Sequence, residues 1–133
     1  MGASLGAKLA NPNKDVVNVV GDGASIYGCP TSSLWTAAVY DAPFLSIIYN
    51  NQIHNAPKRA LLDGISDSYS ERADKWVGME LSPSVEFAML AQSCHAYGEK
   101  VEDPGEVPGA LDRAMNRVRD GQPAVLDVRI ERP

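Results

Sequence analysis

The chain is 133 residues long, one domain's worth, with 44% apolar and 22% charged residues, an ordinary balance for a globular protein with a single core. Seventeen acids against twelve bases leave a net charge of −5, which argues against a nucleic-acid or anionic-membrane surface, since both need clustered Lys and Arg. No stretch approaches the roughly 18–20 apolar residues of a membrane span, and the opening MGASLGAKLA lacks the basic-then-apolar profile of a signal peptide, so the expectation is a soluble cytoplasmic protein.

In chain order, residues 3–9 are small and helix-tolerant and stop at Asn11-Pro12-Asn13. Asp15 to Val20 is short and β-branched, which predicts a strand buried on both faces. Thr31 to Tyr40 has a helical pattern, and Pro43 separates it from a second buried strand at Phe44–Tyr49. From Gln52 to Leu81 no clear periodicity stands out, so this span is either a functional loop or holds a short helix without a sequence signal. Ser82-Pro83 reads as a cap followed by Pro at a first helical position. Phe87, Leu90, Ala91 and Cys94 then form an amphipathic stripe that Gly98 is expected to terminate. A short strand near Glu99–Val101, a helix over Val107–Val118 closed by Gly121 and Pro123, and a last strand over Ala124–Ile130 complete the order.

Strands alternating with helices of 10–15 residues predict right-handed parallel crossovers. The fold class is therefore α/β, a doubly wound, mostly parallel sheet with helices on both faces. There is no internal repeat or linker, and residues 1–133 read as one domain. Cys29 and Cys94 match no metal-ligand spacing and are expected as free, mostly buried thiols.

Two polar signals interrupt this pattern, Gly21-Asp22-Gly23 after the first strand and Asn50-Asn51 after the second. The 26 residues between them, Ala24 to Tyr49, suffice for one helix and the return strand. Both signals then emerge at the carboxyl edge of the sheet, where open parallel sheets bind ligands. Gly21 and Gly23 let backbone N–H groups approach a ligand, and Ala24 and Ser25 present N–H groups that can cradle an anion. Asp22 supplies a charged oxygen and Asn51 a neutral one, donors suited to a hard divalent cation such as Mg²⁺ beside a diphosphate. Neighbouring side chains on an extended backbone point to opposite sides, so only one of Asn50 and Asn51 can reach such an ion.

The stretch GDGASIYGCPTSSLWTAAVYDAPFLSIIYNN resembles the diphosphate-binding motif of the thiamine-diphosphate-dependent enzymes, most closely the branch of acetolactate synthase, benzoylformate decarboxylase and related decarboxylases and carboligases. SPSVEFAMLAQSCHAYG, DPGEVPGALDRAM and GQPAVLDVRI resemble the rest of that domain. The resemblance implies that Asp22, Asn51 and the main-chain carbonyl of Ile53 bind Mg²⁺. It implies that Gly21, Gly23, Ala24, Ser25, His54 and Asn55 hold thiamine diphosphate, and that Ala56 and Pro57 lie near the substrate pocket. It also implies a partner: a pyrimidine-binding domain or subunit supplying an activating glutamate, in a homo- or hetero-oligomer acting on a small 2-oxo acid or acyl substrate. The chain has no room for that domain, and its start resembles a helix that normally follows an earlier strand, so the expectation is a domain cut short at its N-terminus. No residue of this chain is expected to break bonds itself. The alternative is a non-catalytic or partner-dependent assembly module with the same fold.

Other polar residues fit plainer roles. His95 is expected late in a helix, where a cation favours the dipole, and Tyr27 and Trp35 as packing residues. Glu71, Arg72, Asp74 and Lys75 read as a solvated helix face. Arg59 is a weaker candidate for meeting a substrate carboxylate, and Glu80 and Glu86 have no spacing that marks an acid–base pair.

Overall fold

A computed structural model describes residues 1–132. Four parallel strands form one sheet: β1 (Val17–Gly21), β2 (Leu45–Asn50), β3 (Tyr97–Val101) and β4 (Ala124–Arg129), in the spatial order β1-β2-β4-β3. The helices are α1 (Gly2–Ala10), α2 (Asp22–Tyr27), α3 (Pro30–Val39), α4 (Asn55–Gly64), α5 (Tyr69–Ala73), α6 (Phe87–Ser93) and α7 (Val107–Arg119). The doubly wound α/β expectation holds.

Each face of the sheet has its own core. On one, Leu34 and Ala37 of α3 and Phe87 and Ala91 of α6 close over Phe44, Ile48 and Val125, with Met1 and Leu5 of α1 packed at the margin. On the other, Ala110, Ala114 and Val118 of α7, spaced by one helical turn, cover Leu45, Ala124, Leu126 and Val101. The chain runs outward from β2 to β3 with α6 on one face and returns from β3 to β4 with α7 on the other. Right-handed crossovers require that change of face when the direction along the sheet reverses.

Several expectations need correction. The first strand is not buried on both faces, since Val17 is 49% and Val19 56% exposed. β1 is an edge strand, and α7, the helix on that face, lies over β3 and β4. For the unpatterned span from Gln52 to Leu81 the helical alternative holds, with two helices rather than one, α4 and α5, neither of which buries a residue fully. Helix periodicity in a sequence is clearest where a stripe is fully buried, and the inward side of α4, Asn55, Lys58 and Leu61, is only half-buried. Ser68 caps α5 by accepting from the Glu71 N–H at 3.2 Å. Ser82-Pro83 does not open α6, whose cap position is Glu86. Ser84 is instead drawn to the sheet by Asn50 and Arg129, which keeps residues 82–86 out of the helix. Gly98 does not end that helix either. The helix stops at Ser93, and His95, expected inside it, lies beyond it with φ of +63°. Gly98 belongs to β3, where a Cβ would sit 2.1 Å from the Ala88 carbonyl oxygen, so this crossing of strand and helix requires glycine. Of the two free thiols Cys94 is buried and Cys29 is exposed, at a left-handed position before α3.

Candidate functional site

Asp22 is the first residue of α2, directly after the end of β1. It is only 4% exposed, and its carboxylate spans two segments. Oδ1 accepts from the Gly23 N–H at 2.8 Å, and Oδ2 accepts from the Gln52 N–H at 2.7 Å. The acid after the first strand is thus bonded to the residue next to Asn51. Asn51 Oδ1 accepts from the Ile53 N–H at 3.1 Å, and the Ile53 carbonyl accepts from the Asn55 N–H at 2.9 Å. Each of these oxygens keeps a second lone pair. Asn50 turns the other way, buried beneath the sheet edge against Ser84 and Asp127, so the expected division between the two asparagines is present.

Around these residues, beyond the carboxyl ends of β1, β2 and β4, lies a cavity of about 680 Å³. Gly21, Asp22, Gly23, Ala24, Asn51, Ile53, His54 and Asn55 all line it, as do Ala56 and Pro57. Ser25 is not in the lining, and its hydroxyl is buried without a hydrogen-bond partner. A second chain segment forms the far wall, tied down by the His54 N–H donating to the Met79 carbonyl at 2.7 Å and the Leu81 N–H to the Gln52 carbonyl at 3.0 Å.

His54 lies against Gly23 so closely that a Cβ on the glycine would stand 2.1 Å from the imidazole Cε1. Its ring stacks on Tyr27, centroids 5.5 Å apart and planes 20° off parallel, and Nε2 is buried without a partner. Gly23 therefore serves close approach rather than a turn, because α2 begins before it. Tyr27, read from sequence as a packing residue, is 76% exposed and stands at the cavity; Trp35 is also largely exposed. Tyr49, Gly78, Met79 and Ile130 complete the wall and carried no signal in the sequence. Arg59 is exposed and outside the lining, while Glu80 and Glu86 pair with Arg132 and Arg129.

Among the described residues no group of three or more His, Cys, Asp or Glu gathers in a metal-binding cluster. The oxygen set at the strand ends is one carboxylate, one amide and one main-chain carbonyl. Those are hard donors, poorly suited to Zn²⁺ and chemically suited to Mg²⁺ held partly by phosphate and water.

A family model described as the thiamine pyrophosphate enzyme C-terminal TPP binding domain matches residues 1–128. The chain belongs to this family. Benzoylformate decarboxylase of Pseudomonas aeruginosa is 41% identical over 128 residues, covering 95% of this chain and 21% of the relative. A probable acetolactate synthase of Mycobacterium bovis is 33% identical over 129 residues, 96% of this chain and 21% of the relative. Sulfoacetaldehyde acetyltransferase of Castellaniella defragrans is 30% identical over 125 residues, 93% and 19%. The fold matches a thiamine diphosphate-dependent 4-hydroxybenzoylformate decarboxylase of Rhodococcus jostii RHA1 with a TM-score of 0.74 at 24% identity, over 98% of this chain and 22% of that one. The chain thus spans about a fifth of the length of the curated relatives it matches. It is a thiamine-diphosphate-binding domain of a family of thiamine-diphosphate-dependent enzymes, and no described helix is long and apolar enough to cross a membrane.

Proposed function

We propose that this domain is the cofactor-holding part of a 2-oxo-acid decarboxylase or carboligase, a lyase or transferase like acetolactate synthase. Asp22, Asn51 and the Ile53 carbonyl hold Mg²⁺, which neutralises and fixes the diphosphate. Gly21, Gly23, Ala24, Ser25, His54 and Asn55 hold thiamine diphosphate itself. When bound, the cofactor supplies the carbon nucleophile for chemistry at a 2-oxo or acyl carbonyl, and the protein positions it. The residues of this chain bind, orient and exclude water; the activating glutamate comes from a pyrimidine-binding domain or subunit, in an oligomer.

The observation that carries this reading is the Asp22 carboxylate bonded to the Gln52 amide at 2.7 Å in the wall of the cavity. That bond ties the acid after β1 to the backbone next to Asn51 before any ligand arrives, which supports a site shared by the two strand ends. One observation favours a second reading, a partner-dependent assembly module: Val17, Val19 and Tyr49 leave an apolar strip of one sheet face open to solvent. A thermal-shift titration with thiamine diphosphate and Mg²⁺ separates the two. The cofactor reading expects a rise in Tm that Asp22→Ala abolishes, whereas the module reading expects no ligand-dependent rise in either form. Intact mass and co-purification identify the partner chain or domain.

A further inference from the structure

Asp127 stands in the middle of β4 with no exposed surface. A buried acid is costly unless it is held by hydrogen bonds, and this one is held by one residue in particular. Its Oδ1 accepts from the Asn50 side-chain amide at 2.8 Å. The same amide donates to the Ser84 hydroxyl oxygen at 3.1 Å, and that oxygen accepts from Arg129 Nη1 at 3.0 Å. Arg129 continues to Glu86 at 3.5 Å and lies 3.9 Å from Asp127 Oδ2. One polar chain therefore joins β2, β4 and residues 84–86 beneath the cavity.

The cluster is not built for stability alone. Asp127 Oδ2 and Arg129 Nε are both buried without a hydrogen-bond partner, and a partly satisfied polar network is worse for stability than an apolar core. Burial also holds the Asp127 carboxyl above its ordinary titration range. What the cluster does achieve is to fix Asn50, the last residue of β2, whose main-chain carbonyl is also held by the Ile130 N–H at 3.2 Å. Side chains alternate along a strand, and a slip of one residue reverses every face. Holding the Asn50 side chain inward therefore sends Asn51 outward to the cavity and aims the following turn, whose Gln52 and Ile53 amides bond Asp22 and Asn51.

We propose that Asp127, acting through Asn50 with Ser84 and Arg129, is a positioning residue for the cavity: it sets the strand end so that the oxygens of Asn51 and Ile53 face the ion. The proposal rests on the reading of the cavity as a magnesium–diphosphate site. Its test has a part that needs no ligand. Amide hydrogen exchange of the 133-residue chain, followed by NMR, is expected to quicken at Gln52 and Ile53 at least tenfold more in Asp127→Ala than at Val19 and Val20 of β1. Asp127→Asn, which keeps an acceptor for the Asn50 amide, is expected to restore slow exchange. The Mg²⁺ affinity measured by calorimetry with saturating thiamine diphosphate is expected to fall 10–100-fold in Asp127→Ala, the usual cost of losing a ligand's supporting partner, and to recover in Asp127→Asn. If Asp127→Ala does not fold, Ser84→Ala, which removes the other acceptor of the Asn50 amide, is expected to quicken the same two amides. Uniform quickening across all strands, or unchanged exchange at Gln52 and Ile53, would overturn the proposal. A wild-type chain that binds neither Mg²⁺ nor thiamine diphosphate would sink the cofactor reading instead, while the exchange result still decides the positioning role.

Discussion

Replacing Asp22 with Asn should destabilise the chain even without any ligand. The carboxylate accepts two N–H groups, from Gly23 at 2.8 Å and Gln52 at 2.7 Å, at a position only 4% exposed. An amide offers a single acceptor oxygen, so one N–H loses its partner and the other loses the assistance of charge. Hydrogen bonds to charged groups contribute about 1.5–3 kcal/mol, and an unsatisfied buried donor costs about 1–3 kcal/mol, which places the net loss at roughly 2–4 kcal/mol. A domain of this length has about 7–20 kcal/mol of stability in total, so the variant should fold. At roughly 3–5 °C per kcal/mol for this size, Tm should fall by about 6–20 °C. Circular dichroism melts in the presence of a chelator, with no cofactor, measure this directly. A Tm within about 2 °C of wild type would refute the inference that Asp22 staples the two strand ends together in the free protein.

Other consequences follow from particular contacts. Gly23→Ala should cost about 1–3 kcal/mol by overpacking against the His54 ring, and should be nearly neutral in a His54→Ala background; a double-mutant cycle of denaturant melts showing no coupling would count against that contact. Gly98→Ala should cost more than Gly23→Ala, because its Cβ meets the Ala88 backbone at 2.1 Å rather than a side chain that can turn; a melt showing the reverse order would contradict the packing of α6 on β3. Burial, outweighing the Asn50 hydrogen bond, raises the Asp127 pKa in the folded state. The folded state then binds the proton more tightly than the unfolded one, so this group's contribution is fullest below about pH 4 and declines as pH rises through the folded pKa. Denaturant melts across pH should show wild type losing stability relative to Asp127→Asn as pH rises from 4; a difference independent of pH would contradict it.

How much of this was legible in the sequence depends on what each segment buries. β2, β4 and α7 stood out because Ile48, Leu126 and Ala114 lie in continuous cores and impose period on their neighbours. α4 and α5 bury nothing fully, so their periodicity had no reason to appear. The edge position of β1 follows from which strand lies beside it, a property of topology that Val17 and Val19 do not encode. At the site, Asp22 and Asn51 were readable because Gly, Asp and Asn interrupt apolar runs at strand ends. Tyr49 and Ile130 were not, since an apolar residue at a strand end looks the same whether it lines a cavity or a core. Asp127 did leave a mark, an acid within the apolar run Ala124–Val128, and its meaning appeared only when β4 was paired with β2, placing it opposite Ile48 and within reach of Asn50.

The most direct test of the account is a crystal structure of this protein with thiamine diphosphate and Mg²⁺. An ion is expected about 2.0–2.1 Å from an Asp22 carboxylate oxygen, Asn51 Oδ1 and the Ile53 carbonyl oxygen, with the diphosphate against Gly23 and Ala24. An ion held elsewhere, or a cofactor bound with Asp22 still engaged only by Gly23 and Gln52, would contradict it.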